Sequence, residues 1–508
     1  MRRLFVFLLI CSAGLQTAMA QRITYSEYNK KEGRDTYFEI LGRFDSSYLV
    51  YKIINRKHFI TGYDQKMRIA QHKQLDFLDE KTFNVDFINY NNFLYLIYQF
   101  QRNNVVYCKA VKMNERCELL SEPVVLDTTR VGFFADNKIY SVAYSENKEK
   151  ILIYKRQVKN DWLTIATRLF DKDMNQIDST RQLIKYDDRR DFFSELVLDN
   201  DGSFLFARGT GKSRRQRNNS IHVSLHKPGM DTFRVYRIDL NDQYVNEVNI
   251  KADNLNRYYL VNACYEPKKG DYVEGLFTAL IDMNGEKPVR AVFNPFSDSL
   301  RLLLNPSDKS RFAFENLNIR YTVLKKKGGF VLAAEEYYTE NIYNNIWNRN
   351  YRFYNNFYSG TANDFFINNP YYYYGYRPWS LGNRDMNTRY YYNDIIILSL
   401  DSALRLQWNN VIHKKQYDVD TENFLSFSTF NAGSEIRFLF IDKDNQKQII
   451  SNHALQPDGQ INRYPTVRST EMGYGFMPRL AKQVGARQVI IPYVYLGYIS
   501  FAKIDFPD

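Results

Sequence analysis

The chain has 508 residues, a formal charge of +12, 44% hydrophobic and 16% aromatic residues, and only four cysteines. That length can build a sizeable core, and so few cysteines exclude a small disulfide-framework protein. The positive charge is spread along the chain rather than gathered into long basic runs, which argues against a nucleic-acid partner.

The opening stretch, MRRLFVFLLICSAGLQTAMAQR, reads as an export signal. Arg2 and Arg3 form a basic start, Leu4 to Ile10 an apolar core too short to span a bilayer, and Ala18-Met19-Ala20 a small-residue cleavage site. Residues 1–20 are therefore expected to be a signal peptide and 21–508 the working domain, with charge +10 because two arginines and no acid leave. Cys11 follows Ile10 rather than the small residue a bacterial lipobox requires, which disfavours a lipoprotein. No later stretch holds the ~18 uninterrupted apolar residues of a spanning helix, so no transmembrane anchor is expected.

Short β-prone runs then follow one another, among them SYLVYKII, FLYLIYQF, KIYSVAYS, KILIYKR, DTFRVYRIDL, GLFTALIDM, GFVLAAEEY, DIIILSLD and IRFLFID. They are rich in β-branched and aromatic residues and are separated by polar turns. A unit recurs in which an apolar strand ends in an Asp- or Asn-containing turn and restarts, at Asp64, Asn114, Asp171, Asp239, Asp282, Asp401 and Asp442. The intervals run from 41 to 68 residues, three of them within the ~40–50 of a four-stranded propeller blade, except for one of 119 that fits two units or one unit with a long insertion, and blades must close in a ring to leave no bare sheet edge. The expected fold is all-β: a single seven- or eight-bladed β-propeller. QRITYSEY near the start and GYISFAKIDF at the end read as strands of one shared blade. Two stacked β-sandwiches are the alternative, though they lack such a superperiod.

Several stretches resemble chemical motifs. In VVYCKAVKMNERCELL, a turn around Lys112 and Met113 would set Cys108 opposite Cys117, where an oxidising compartment allows a bridge, while Cys264 reads as a buried hydrophobe. In FLFARGTGKSRRQRNNSIHVSL (204–225), Gly211-Lys212-Ser213 looks like the end of a phosphate loop, but Phe206 stands where its first glycine belongs and a strand pattern follows. His222 and His226 would share a metal on a helix, whereas on a strand this spacing separates them by about 13 Å. Asp171, Asp173, Asn175 and Asp178 begin like a calcium loop, but Gln176 and Gln182 replace its glycine and closing glutamate, and Asp442, Asp444 and Gln446 repeat the partial pattern. Both read as turn caps. No metal and no cofactor are expected, and Glu335 and Glu336 should point to opposite faces of a strand.

Residues 341–392 form a long aromatic/Asn-rich insertion, with 18 aromatic residues, 12 Asn and five Arg in 52 positions. Aromatic rings beside amide and guanidinium donors suit glycan stacking or a protein interface. The candidate binding residues are Trp347, Tyr351, Tyr354, Tyr358, Tyr371, Tyr372, Tyr373, Tyr374 and Trp379. A hairpin that packs its rings on the propeller face, or an aromatic loop without order, is the competing structural reading.

GGFVLAAEEYY, the insertion, YYNDIIILSLD, NNVIHKKQ and the closing VIIPYVYLGYISFAKIDF together resemble uncharacterised secreted propeller-like proteins of Bacteroidetes, over roughly residues 325–506. The resemblance implies the periplasm or outer surface of a Gram-negative bacterium and carries no activity. The expectation is a non-enzymatic binding or scaffold propeller of the cell envelope with a protein or glycan partner. The alternative is a carbohydrate-active enzyme of propeller fold, which requires two or three carboxylates converging at a central mouth. A purely structural envelope component is the third reading.

Overall fold

The computed structural model describes residues 21–28, 37–78, 81–132, 138–187, 191–211, 218–245, 247–267, 272–304, 316–341, 347–348, 388–419, 422–444, 447–468 and 475–506. The expected signal peptide lies outside these residues.

Four-stranded antiparallel units succeed one another along the chain: blade 1 (37–74), blade 2 (82–130), blade 3 (140–185), blade 4 (192–239), blade 5 (244–295), blade 6 (317–419) and blade 7 (427–468). In each, the first strand lies innermost and the fourth outermost. Blade 8 takes its inner strands from 475–505 and its outermost strand, Arg22–Tyr25, from the start of the domain. That strand pairs antiparallel with Tyr498–Asp505, Arg22 opposite Asp505 and Tyr25 opposite Ala502, and so covers the edge that would otherwise stay open. Blades 4 and 5 share one ladder, because Tyr244–Val245 bridges Asn218 and Tyr265–Glu266.

The seven recurring turns therefore belong to an eight-bladed ring. Asp64, Asn114, Asp171, Asp282 and Asp401 do sit at the turns between third and fourth strands. Asp239 instead ends the fourth strand of blade 4, and Asp442 lies in the second strand of blade 7; the equivalent turns there are Lys227-Pro228-Gly229-Met230 and Gln456-Pro457-Asp458-Gly459. Blade 8 shows no such turn because its fourth strand comes from the other end of the chain.

The core is divided among the junctions between blades. Leu49, Leu96 and Met113 fill the space between blades 1 and 2, Ile97 and Ile153 that between 2 and 3, and Leu163 and Phe206 that between 3 and 4. Val223 and Val261 join blades 4 and 5, Leu276 and Leu398 blades 5 and 6, and Ile397 and Phe440 blades 6 and 7. Leu439 with Ile491 and Val50 with Phe501 complete the circle. Middle strands are buried on both faces and so read as continuous apolar runs such as LYLIYQF, whereas the outermost strand Gln176–Lys185 alternates between exposed and half-buried positions.

Hydrogen bonds also cross the junctions. Lys148 Nζ donates to Asn89 O (2.6 Å), Asn147 N to Asn200 Oδ1 (3.1 Å), and Asn200 N to Asn254 Oδ1 (3.0 Å), lacing blades 2 to 5. Asn410 Nδ2 donates to Gly459 O (2.8 Å), Gln483 Nε2 to Asn431 O (2.8 Å) and Lys503 Nζ to Gln65 O (2.9 Å), lacing blades 6 to 8 and back to 1. Among the described residues the one α-helix is Asp298–Leu304, and no helix is long and apolar enough to cross a membrane.

Candidate functional site

The partial calcium loops are turn caps where the chain does turn. Asp171 Oδ1 accepts from the backbone N–H groups of Asp173 (2.9 Å) and Asn175 (2.8 Å), and Asp64 and Asp401 do the same two and four residues on. Asp442 is different, since its carboxylate faces Arg463 from within a strand. Among the described residues no group of three or more His, Cys, Asp or Glu is placed to hold a metal.

His222 and His226 lie on one strand, Asn218–His226, with His226 Nε2 2.9 Å from Met230 O. Gly209, Thr210 and Gly211 end the strand Phe204–Gly211, and the next described element is its partner strand Asn218–His226. Lys212 to Arg217 lie outside the described residues. Cys108 and Cys117 do not pair: the strand Val105–Met113 runs past the expected turn, and the thiols enter different cores, Cys108 between blades 2 and 3 and Cys117 between blades 1 and 2.

The insertion leaves from a paired ribbon. Strands Phe330–Asn341 and Thr388–Leu400 stay in register out to Asn341 opposite Thr388, so residues 388–392 are strand rather than loop. Gln416–Val419 pairs with 389–392 on one side, and Trp347–Asn348 with Thr339–Glu340 on the other. Of the nine candidate binding residues, Trp347 is placed in this short strand; Tyr351, Tyr354, Tyr358, Tyr371 to Tyr374 and Trp379 lie outside the described residues.

The ribbon sorts its own tyrosines by strand alternation. Tyr337, Tyr390 and Tyr392 turn inward and pack with Leu425. Tyr338, Tyr391 and Tyr417 form an outer row: the first two rings stack at 4.5 Å, and the third is 5.9 Å from Tyr391 and 50% exposed. Glu340 Oε2 accepts from Tyr391 Oη (2.8 Å), and the Arg389 guanidinium lies 5.8 Å from the Tyr417 ring centre. The nine sequence candidates leave these residues out, although Arg389 and Tyr391 lie within 341–392; the run of three tyrosines at 390–392, leading into a β-prone stretch, was the available signal.

Beneath the ribbon lies a buried charged network joining blades 6, 7 and 8. Glu335, fully buried, meets Lys414 Nζ at 2.7 Å and Arg320 Nε at 3.1 Å, and accepts from Ser426 Oγ at 2.6 Å. Glu336, at the bulge between Glu335 and Tyr337, is half-buried. Glu422 meets Arg479 at 3.3 Å and accepts from Tyr392 Oη at 2.6 Å. Burial raises the Glu422 pKa, but Arg479 and the Tyr392 hydroxyl outweigh it and hold the carboxyl below its ordinary range. These carboxylates are neutralised by cations.

Asp86 of blade 2 is bound to Lys138 Nζ (2.7 Å) and Asn84 Nδ2 (2.8 Å). Glu39 of blade 1 and Glu247 of blade 5 are both pushed up to about 7 by burial. Glu247 accepts from Ile319 N (2.8 Å), and its blade lies across the ring from that of Glu39.

Eight blades closed by the N-terminal strand define the chain as an eight-bladed β-propeller. No family model and no curated protein matches the sequence. Among solved structures it is similar to polysaccharide lyase Uly1, with a TM-score of 0.39 and 10% identity over 83% of this chain and 89% of that one. It is also similar to prolyl oligopeptidase B from Galerina marginata (TM-score 0.41, 7% identity, 92% of this chain and 56% of that one). For oligopeptidase B from Trypanosoma brucei the TM-score is 0.38 at 8% identity, over 93% of this chain and 54% of that one. The chain spans about half the length of these two oligopeptidase chains, and the likeness concerns the fold alone.

Proposed function

We propose that this propeller is a non-enzymatic binding or scaffold protein of the bacterial cell envelope, exported by its N-terminal signal, which recognises a protein or glycan partner through the rim of blade 6. The observation that carries this reading is the ribbon, whose strands run beyond the blade and present Tyr338, Tyr391 and Tyr417 in a row beside Arg389 and Glu340. Aromatic rings with an adjacent guanidinium are the side chains that concentrate binding energy at interfaces. The pattern of charges supports binding over catalysis: the carboxylates beneath the ribbon are held by cations, and the two acids pushed up to about 7, Glu39 and Glu247, sit on opposite blades.

The test is to replace residues 342–387 by a short Gly/Asn turn and compare parent and truncated protein as baits on the native envelope fraction, read by mass spectrometry. The proposal expects a partner recovered by the parent and lost by the folded truncated form. Equal recovery by both refutes a recognition role for the insertion.

A further inference from the structure

Because the strands of every blade alternate in direction, all connections between second and third strands lie on one face of the ring and all turns between third and fourth strands on the other. Four consecutive blades carry the second-to-third turn wholly within the described residues: 495–498 in blade 8, 54–57 in blade 1, 102–105 in blade 2 and 159–162 in blade 3. Each is a two-residue hairpin turn, closed by the pairs Tyr495 with Tyr498, Ile54 with Lys57, Arg102 with Val105 and Lys159 with Trp162. The first turn position has positive φ in all four. It is Asn55, Asn103 and Asn160 in blades 1 to 3, the residue type this position favours, and Leu496 in blade 8.

Leu496 is held at φ 51°, a left-handed conformation that a leucine side chain resists. The other apolar residues at positive φ are compensated by packing: Met67, Cys117 and Leu404 are each 1% exposed, and Met174 packs against the core between blades 2 and 3. Leu496 is 62% exposed. Below it Tyr28 stacks on Tyr498 (5.7 Å between ring centres) and meets Tyr495 edge-on (5.5 Å), so the leucine stands at the apex of a small aromatic base. Its strain is not offset by burial, and strain of this kind collects where a surface meets something outside the chain.

Blade 3 raises a second apolar side chain on the same face. Trp162, 47% exposed, stands between Lys159 and Lys185, each directly opposite it on a neighbouring strand. The turns between these two tips are basic. Together the four turns present Arg56, Lys57, Arg102 and Lys159 against the single acid Asp161, all exposed, and none of these cations is paired with an acid among the described residues. Glu27, beside Tyr28, is the next acid. Apolar tips on blades 8 and 3, with basic turns on blades 1 and 2 between them, do not make one contiguous patch for a protein pocket. A bilayer asks only that they reach the same level, and Trp, Tyr and basic residues are the side chains that settle among its headgroups. The surplus of cations selects anionic lipid.

We propose that the second-to-third turns of blades 8, 1, 2 and 3 form a docking face for an anionic lipid surface, with Leu496 and Trp162 inserted at headgroup level and Arg56, Lys57, Arg102 and Lys159 over the lipid charges. The ribbon of blade 6 lies across the ring and takes no part. The strained leucine gives the proposal a distinctive sign. Asparagine at position 496, as in the three neighbouring turns, relieves the backbone and removes the apolar tip, so the fold gains stability while lipid attachment weakens.

The experiment is co-sedimentation with vesicles of the chain from residue 21, which contains all eight blades and leaves out the apolar stretch of the expected signal peptide. Vesicles of phosphatidylcholine with about one-third phosphatidylglycerol are compared with pure phosphatidylcholine, and binding should be at least about tenfold tighter to the anionic ones and fall severalfold when salt is raised from about 0.1 to about 0.5 M. Leu496→Asn should melt at a higher temperature than the parent and bind at least about fivefold more weakly. Trp162→Gln, which leaves the strained turn alone, should weaken binding to a similar degree without that gain in melting temperature. Absence of binding to anionic vesicles, equal binding to neutral ones, full binding by either variant, or a lower melting temperature in Leu496→Asn overturns the proposal. If Leu496→Asn keeps its vesicle binding and instead loses a protein recovered from the envelope fraction, the face is a protein interface and lipid docking is refuted.

Discussion

Gly209 is a glycine because a ring lies on it: a Cβ built there would fall 1.9 Å from Phe192 Cε1, and Phe192 is the residue paired opposite it across the inner ladder of blade 4. Gly209→Ala should therefore cost about 1–3 kcal/mol by overpacking. Lys212→Ala should stay within about 0.5 kcal/mol of the parent and leave no ATP-dependent thermal shift to lose. Denaturant unfolding and thermal shift with ATP check both; a tolerated Gly209→Ala would contradict the packing argument, and an ATP shift abolished by Lys212→Ala would restore a phosphate loop. His58 carries a pH prediction. It is buried with its Nδ1 2.6 Å from Tyr51 Oη, and burial lowers its pKa to about 4. The unfolded chain takes up the proton near the ordinary histidine value of ~6.5 and the native state does not until about 4, so stability falls as the pH drops through that window. Melting temperature against pH should show a shallower acid loss in His58→Gln than in the parent; an unchanged profile would show that His58 is not responsible. The turn caps at Asp64, Asp171 and Asp401 were legible because cap and recipient lie within four residues. The packing of Lys482–Gly485 beside Tyr37–Phe44 was not, because those strands come together only when the ring closes.

At the level of elements, strands announced themselves through apolar runs, and blade 6 shows why. Phe330–Asn341 and Thr388–Leu400 are buried on both faces near the core, so their sequences are unbroken there, and only the outward ends alternate. The turns of blades 4 and 7 were misassigned because Pro-Gly and Pro-Asp-Gly replace the Asp-led turn, while Asp239 and Asp442 imitate it nearby. Since the two ends of the insertion lie side by side in the ladder, replacing residues 342–387 by a short turn adds little closure entropy. The truncated protein should melt within a few degrees of the parent. A loss of several kcal/mol would mean instead that the aromatic segment packs on the propeller and is part of its structure.

For the whole molecule, the superperiod was readable as a ring and the blade count was not. An internal turn marks seven blades, whereas the eighth is assembled from both ends of the chain and leaves no turn to count. Closure by that eighth blade is what packs Lys482–Gly485 beside Tyr37–Phe44 and covers the last sheet edge, so it is the claim on which the rest stands. The direct measurement is a crosslink between the chain ends. Arg22 and Asp505 are directly opposed in the closing ladder, a spacing of roughly 5 Å between Cβ atoms. Arg22→Cys with Asp505→Cys, mildly oxidised and digested, should yield a linked peptide from the two ends within one chain and a raised melting temperature. Absence of that peptide, or a link formed only between separate chains, would contradict the closed eight-bladed ring.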